Sequence, residues 1–315
     1  MNLCTHPLFQ LKHRALAALC CALACATAPL LAADAVIAEW NVACGVPVAG
    51  EGTIAPDRIT RIGQIIAGKI RPDLLVLSEV SSKKEASAIA ASSTAAGWPL
   101  KLRGLPQQPA GCTQFLAILA RPDVTTGSVS TIAGSESAVF PSTRRAIITK
   151  ARIGAFDCYV VGVHFKSARE KKERDARTAQ CQRVADHLHG LDIATAKPEH
   201  DFLVIGDYNM IPGDDAPNFA ALNAHGNLRF ISDSAPGVTH VNPKGCVGGK
   251  PTGNHLDGYA TATPATREFI AGSFRVLNHT RLGLPCGAFQ SKNKTVYVSD
   301  HFPLVAKFRT DKDDD

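Results

Sequence analysis

Acidic residues are missing from the first 33 positions of this 315-residue chain; the first is Asp34. Lys12, His13 and Arg14 form a basic patch in that stretch, and the apolar, small-residue run ALAALCCALACATAPLLAA follows it. The pattern predicts a secretory signal peptide over 1–33 and a mature chain over 34–315 that is secreted or periplasmic. A retained anchor and lipid attachment at Cys25 are the alternatives. No later run is long and apolar enough to cross a bilayer, so no stable membrane anchor is expected once the leader is gone.

Aromatic residues are scarce, at 6 %. Base-stacking platforms of the kind single-strand binders use are therefore not evident. An exposed aromatic hairpin for a lipid surface is also missing; Trp98-Pro99 is the one candidate and reads as core or turn. Past the leader there is no close cysteine pair, which argues against structural zinc. Cys44, Cys112, Cys158, Cys181, Cys246 and Cys286 remain. An even count in an exported chain predicts disulfides. Cys246 with Cys286 is the expected first pair, because both flank one loop-rich region. Cys158 with Cys181 across a strand–helix contact would leave Cys44 with Cys112.

What is present is ordinary globular composition: 45 % hydrophobic and 20 % charged residues, with a formal net charge of +6. Loss of the leader removes Lys12 and Arg14 and no acid, leaving a mildly basic chain compatible with a phosphate-bearing partner. Strand and helix patterns alternate along 34–315, without an internal repeat or an interdomain linker. Strands are predicted over 35–42, 73–80, 115–120, 145–153, 158–165, 202–209, 255–262 and 295–308, and helices over 57–70, 83–96 and 168–188. The strands at 145–153 and 158–165 are expected to form an antiparallel hairpin. The class is α/β, one domain with mixed sheets.

The strands end alike. Asn41 follows Trp40, Glu79 follows LVLS, and His164 ends VVGV; Asp207 and Asn209 close VIGDYN, Asp257 sits in LDGY, and Asp300 and His301 sit in SDHFPL. Any one of these has a bland reading as a turn cap, a strand-end charge or a hydrogen-bonded imidazole. Repetition on six strands points to a site, because α/β sheets gather ligands at strand ends. Carboxylate and amide oxygens suit Mg²⁺, Ca²⁺ or Mn²⁺, and histidine moves protons near neutral pH. The set, which includes no serine or cysteine nucleophile motif, fits metal-assisted hydrolysis of a phosphate ester.

The ordered motifs WN, LSEV, VHFKS, GDYN, LDGY and SDHFPL resemble the endonuclease/exonuclease/phosphatase superfamily over roughly 35–309. The resemblance implies a DNase-I-like, four-layer αββα sandwich of two mixed sheets. It implies Glu79 as principal metal ligand, with Asn41 and Asp300 near the metal, Mg²⁺ expected and Mn²⁺ or Ca²⁺ as alternatives. Asp207 and Asn209 would hold the scissile phosphate and orient water. His301, oriented by Asp257, would act as general base or phosphate contact. His164 would stabilise phosphate charge or protonate the leaving group. Arg144, in preference to Arg145, would assist. Two positions depart from the family pattern: Ser78, where Gln is common, and Gly258, where a larger residue is usual.

The same resemblance, with Lys166-Ser167 two residues after His164, is to exported bacterial nucleases, and implies action on DNA or RNA; a monomer is expected. A sphingomyelinase-like or small-molecule phosphoesterase and a non-catalytic binding or toxin-like subunit are the alternatives. Lys171, Lys172, Arg174 and Arg177 on the helix after His164 could meet a phosphate backbone, although Glu170, Glu173 and Asp175 interleave them. The Gly-rich loop 243–253 is expected to border the site, with Lys244 and Lys250 as phosphate contacts.

Overall fold

Strand β1 (Ala35–Asn41) opens the fold of the computed structural model, which describes residues 34–43, 55–194, 201–234, 237–263, 266–291, 293 and 295–313. The expected leader and Cys44 lie outside these residues. Along the chain follow α1 (Pro56–Ile65, continued by a wider turn over Ile66–Ile70), β2 (Leu74–Val80), α2 (Lys83–Ala95), β3 (Lys101–Gly104) and β4 (Phe115–Ala120). Next come β5 (Thr125–Thr126), β6 (Ser130–Thr131), β7 (Ile147–Ile153), β8 (Phe156–His164), α3 (Lys171–Ile193), β9 (Phe202–Asp207) and α4 (Ala216–Leu222). The chain closes with β10 (Leu228–Phe230), β11 (His240–Val247), β12 (Lys250–Asn254), β13 (Asp257–Ala262), β14 (Arg275–Val276), α5 (His279–Leu282) and β15 (Leu304–Phe308).

One sheet runs β14-β15-β1-β2-β4-β3, a second runs β10-β13-β9-β8-β7-β5 with β6 also on β7, and β11-β12 stand apart as a hairpin. Each large sheet has one parallel pair, β1 with β2 and β8 with β9, among antiparallel ones. Alternating side chains build the layers. In β2, Leu74 and Val76 face the second sheet, where they meet Ile147, Val160, Leu203 and Ile205. Leu75 and Leu77 point the other way, against Ile62 of α1 and Ile89 of α2. In β8 and β9, Val161, Val163, Phe202 and Val204 pack outward on Cys181, Val184 and Leu188 of α3. The result is an αββα sandwich. Both faces of the central strands are buried, which is why they read in sequence as near-continuous apolar runs.

Three expectations are corrected. Residues 295–303 form no strand: Val298 and Phe302 bury into the α1–α2 layer. Arg58 holds this segment, its Nε donating to the Val298 carbonyl at 2.9 Å and its guanidinium stacking on Tyr297. Cys158 and Cys181 are free thiols. Cys158 faces the space between the sheets and Cys181, on α3, packs against the outer face of the second sheet, so that sheet lies between them. Arg177 is no phosphate-facing cation; it is buried, donating to the carbonyls of Lys166 and Ala168 and pairing with Asp215 at 3.2 Å.

The Cys246–Cys286 disulfide is present. It closes a loop 40 residues apart in sequence, for which chain-entropy reasoning gives about 2–4 kcal/mol of stabilisation. The double variant Cys246→Ser/Cys286→Ser is expected to show that loss in urea unfolding; an unchanged midpoint would mean the bridge constrains little.

Candidate active site

The strand pairing alone brings the polar strand ends to one edge. His164, the last residue of β8, lies in register beside Asp207, the last of β9. Asp207 in turn faces Asp257, the first residue of the antiparallel β13. In the other sheet Asn41 ends β1 beside Ser78 of β2, one residue before Glu79. β15 runs antiparallel to β1, with Leu304 opposite Glu39, so the preceding Asp300 and His301 arrive at the same edge. Trp40 fixes that arrival: its indole Nε1 donates to the His301 carbonyl at 2.9 Å. Ser299 adds a second stitch, donating to the Asn41 carbonyl at 2.6 Å and accepting from the His301 amide at 3.0 Å.

Glu79 occupies left-handed backbone, φ 58°, where β2 and β4 shift register between Leu77 and Val80. This conformation costs about 1 kcal/mol or more for a non-glycine residue. Strain of this kind is found where side-chain aim matters more than strand regularity. Asn41 Nδ2 donates to Glu79 Oε1 and to Asp207 Oδ2, both at 3.1 Å, while its oxygen accepts from the Ala43 amide. The amide thus presents nitrogen to the two carboxylates and keeps its oxygen for the backbone. Gln114 Nε2 donates to Glu79 Oε2 at 2.7 Å, and the Gln114 carbonyl oxygen accepts from Arg144. Arg144 is half-buried and also donates to the His164 carbonyl at 3.1 Å; desolvation draws its guanidinium below the usual value. Arg145 pairs instead with Glu136 at 2.6 Å.

The imidazole of His164 sits 3.3 Å from Asp207 Oδ2 and 3.7 Å from Glu79 Oε1. Burial, then the positive charges of Arg144 and His301, holds it well below its ordinary value, so it is neutral. Its neighbours place the proton on Nε2, facing the carboxylates. His301 behaves oppositely. Burial alone would lower it, but the Asp257 carboxylate, 2.8 Å from Nδ1, leads a set of acids that raises it well above the ordinary value. Thr239 Oγ1 accepts from the amides of Leu256 and Asp257 and so pins the loop carrying that acid. The other oxygen of Asp207 accepts from the Asn209 amide at 2.9 Å. Burial pushes the Asp207 carboxyl up to about 7, against the lowering influence of His301. Beneath the site, Glu39 is fully buried, with neither carboxylate oxygen hydrogen-bonded. Burial, then Asp257, raises it well above the carboxylate range and keeps it neutral.

Glu79, Gln114, Arg144, His164, Asp207, Asn209, Asp300 and His301 line a cavity of about 380 Å³ together with Ser167, Leu256 and His240. Oxygen and imidazole atoms of Glu79, His164 and Asp207 lie within 4.8 Å of one another. Asp300 Oδ1 is buried without a hydrogen-bond partner. Clustered carboxylates with an unsatisfied buried oxygen form a donor set suited to a hard divalent cation.

Residues 38–301 match the Endonuclease/Exonuclease/phosphatase family. The chain belongs to that family. Its chemistry is metal-dependent hydrolysis of phosphoester bonds. No curated protein sequence matches the chain. Among solved structures of the same DNase-I-like fold, D. rerio TDP2 complexed with a single-stranded DNA product superposes with TM-score 0.62 at 16% identity, covering 88% of this chain and 100% of that one. The human Nocturnin catalytic domain with bound sulfate gives 0.56 at 17%, covering 88% and 94%. The 3′ phosphatase NExo from Neisseria, bound to a product DNA hairpin, gives 0.56 at 18%, covering 87% and 99%.

Every strand-end residue singled out from the sequence of this family member reaches the site region, but Asn41 turns nitrogen toward it rather than a ligating oxygen. Gln114 and His240 went unnoticed. Gln114 precedes a strand with no pattern to mark it, and His240 lies three residues before the Gly-rich loop 243–253, outside every element read from the sequence. His240 Nε2 is 3.9 Å from Asp300 and its ring centroid is 4.7 Å from that of His301. The glycines of the motifs have steric reasons. Gly206 has φ 145°, and a Cβ there would lie 1.9 Å from the Val163 carbonyl oxygen. At Gly258, the departure from the family pattern, a Cβ would lie 2.1 Å from the Tyr208 ring. Tyr208 fills the space a larger residue would take. Gly258→Ala is expected to cost about 1–3 kcal/mol in thermal or urea unfolding; a neutral effect would contradict this packing.

Proposed function

We propose that this family member is an exported, Mg²⁺-dependent phosphodiesterase that cleaves nucleic acid. The observation that carries the chemistry is the convergence of Glu79, His164, Asp207, Asp300 and His301 in one cavity, with Asp257 paired to His301 behind it, from five strand ends. Support for the substrate comes from the basic charge of the chain and from the DNA-bound states of D. rerio TDP2 and NExo. Trp98 does not form a lipid-seeking tip: its indole donates to the Pro72 carbonyl, and Arg71 and Arg121 stack on its ring. The leader and the basic patch of residues 1–33 support export.

Glu79 and Asp300 would hold the cation, beside Asp207, and the neutral His164 would donate from Nε2 to the carboxylates around it. A divalent ion bound there neutralises charge developing on phosphate oxygens. Asn41 and Gln114 position the Glu79 carboxylate. Asp207, fixed by the Asn209 amide, accepts the proton of the attacking water. His301, kept as imidazolium by Asp257, binds the phosphate and offsets its growing negative charge. Arg144 adds a second positive charge behind Gln114.

The test uses mature protein with Mg²⁺ on plasmid DNA, single-stranded DNA and RNA, beside sphingomyelin vesicles. Metal-dependent loss of nucleic acid is the expected result. Intact nucleic acid with cleaved lipid would overturn the substrate assignment.

A further inference from the structure

Beside the catalytic cavity lies a larger one of about 660 Å³, whose charged lining residues are Lys250, Arg275 and Arg281, all cations. No carboxylate belongs to its described lining. Its two walls come from different parts of the chain. One is the β11–β12 hairpin and its approach, with Val238 and Lys250; the other is β14 and α5, with Arg275, Asn278 and Arg281. Cys246, opposite Pro251 in the hairpin, is bonded to Cys286 just past α5, so the disulfide ties one wall to the other. Arg275 is held in place by donating to the carbonyls of Gly272 and Phe274. Lys250 and Arg281 are exposed, and neither has a carboxylate partner among the described residues.

The groove adjoins the chemistry. Val238 lines it, and His240, two residues on, lines the catalytic cavity. Two residues of chain span at most about 7 Å. Three cations with no acid among them, in a groove that meets the catalytic cavity at the Val238–His240 segment, match a polyanion that continues beyond the reacting bond. A lipid or a mononucleotide would leave them unused.

We propose that the groove between the β11–β12 hairpin and the β14–α5 segment seats backbone phosphates of a nucleic-acid strand on one side of the scissile bond. The assignment rests on the nucleic-acid reading of the catalytic site and deepens it: the preferred substrate is an oligonucleotide or polymer, and binding grows with strand length. The contacts are to phosphate, so they carry affinity and register without reading base sequence.

The experiment compares a dinucleotide, an octanucleotide and bis(p-nitrophenyl) phosphate on the mature, disulfide-bonded chain with Mg²⁺. For the natural sequence, KM for the octanucleotide is expected to be about tenfold below that for the dinucleotide. Lys250→Gln/Arg281→Gln is expected to raise the octanucleotide KM about tenfold and to reduce the salt slope by about 0.7 per lost phosphate contact. Its hydrolysis of bis(p-nitrophenyl) phosphate is expected to stay unchanged. Equal KM for both lengths in the natural sequence overturns the groove assignment without any variant. So does an unchanged octanucleotide KM in the folded variant, and in both cases the nucleic-acid reading survives. Hydrolysis of bis(p-nitrophenyl) phosphate or sphingomyelin vesicles with both oligonucleotides left intact overturns the groove and the nucleic-acid reading together.

Discussion

His301→Gln is expected to lower kcat by about 10³-fold, the range for losing a positioned proton-carrying or charge-stabilising group. Glutamine keeps a donor toward the buried Asp257 carboxylate and removes the positive charge. Thermal stability should therefore stay near that of the natural sequence. His301→Ala removes both. It leaves Asp257, fully buried and 2.8 Å from the lost ring, without its counter-charge, and breaking a buried pair costs about 3–5 kcal/mol. The two variants separate catalysis from folding: similar kcat losses with unequal melting temperatures support the assignment. A folded His301→Gln enzyme with near-natural kcat would remove His301 from the mechanism.

Glu79→Gln is expected to weaken metal binding most strongly among the ligand candidates. The substitution keeps the side-chain shape at a residue with left-handed backbone and removes its charge. Asn41 Nδ2 and Gln114 Nε2 both donate to the natural carboxylate, on different oxygens; an amide in its place would oppose one of these donors with another. The half-saturating Mn²⁺ concentration in calorimetric titration should rise by about 100-fold, the upper range for disturbing a metal site's ligand shell. Gln114→Ala should produce a smaller rise of the same sign. An unchanged Mn²⁺ titration in Glu79→Gln would exclude Glu79 as the principal ligand.

Legibility from sequence followed burial and position. The central strands β1, β2, β4, β8 and β9 were readable because both faces are buried, which leaves long apolar runs. Their polar ends were readable because a charge closing such a run stands out. The edge strands β3, β5, β6, β10 and β14 have two to four residues each, too few for a period to emerge. Residues 295–303 misled for a physical reason. The apolar residues Val298 and Phe302 bury against helices, and the backbone is satisfied by Arg58 and by the Val298 amide donating to the Ala288 carbonyl. Alternation reports burial, and burial need not mean a ladder. Gln114 and His240 were invisible because their place depends on contacts between segments far apart in sequence. Gln114 bridges Glu79 and Arg144, and His240 pairs in a lone antiparallel bridge with His301. The Cys158–Cys181 expectation failed because sequence spacing does not tell which face of a strand a side chain takes when both faces are apolar.

The most direct test of the central claim, a metal-assisted phosphodiesterase centre built on Glu79, Asp207 and His301, is hydrolysis of bis(p-nitrophenyl) phosphate by the mature chain after EDTA treatment and again after adding back Mg²⁺. The small substrate removes every contribution from distant binding grooves. Activity abolished by chelation, restored by the metal, and absent from His301→Gln under both conditions is the predicted result. An EDTA-treated enzyme that retains its full rate would contradict it.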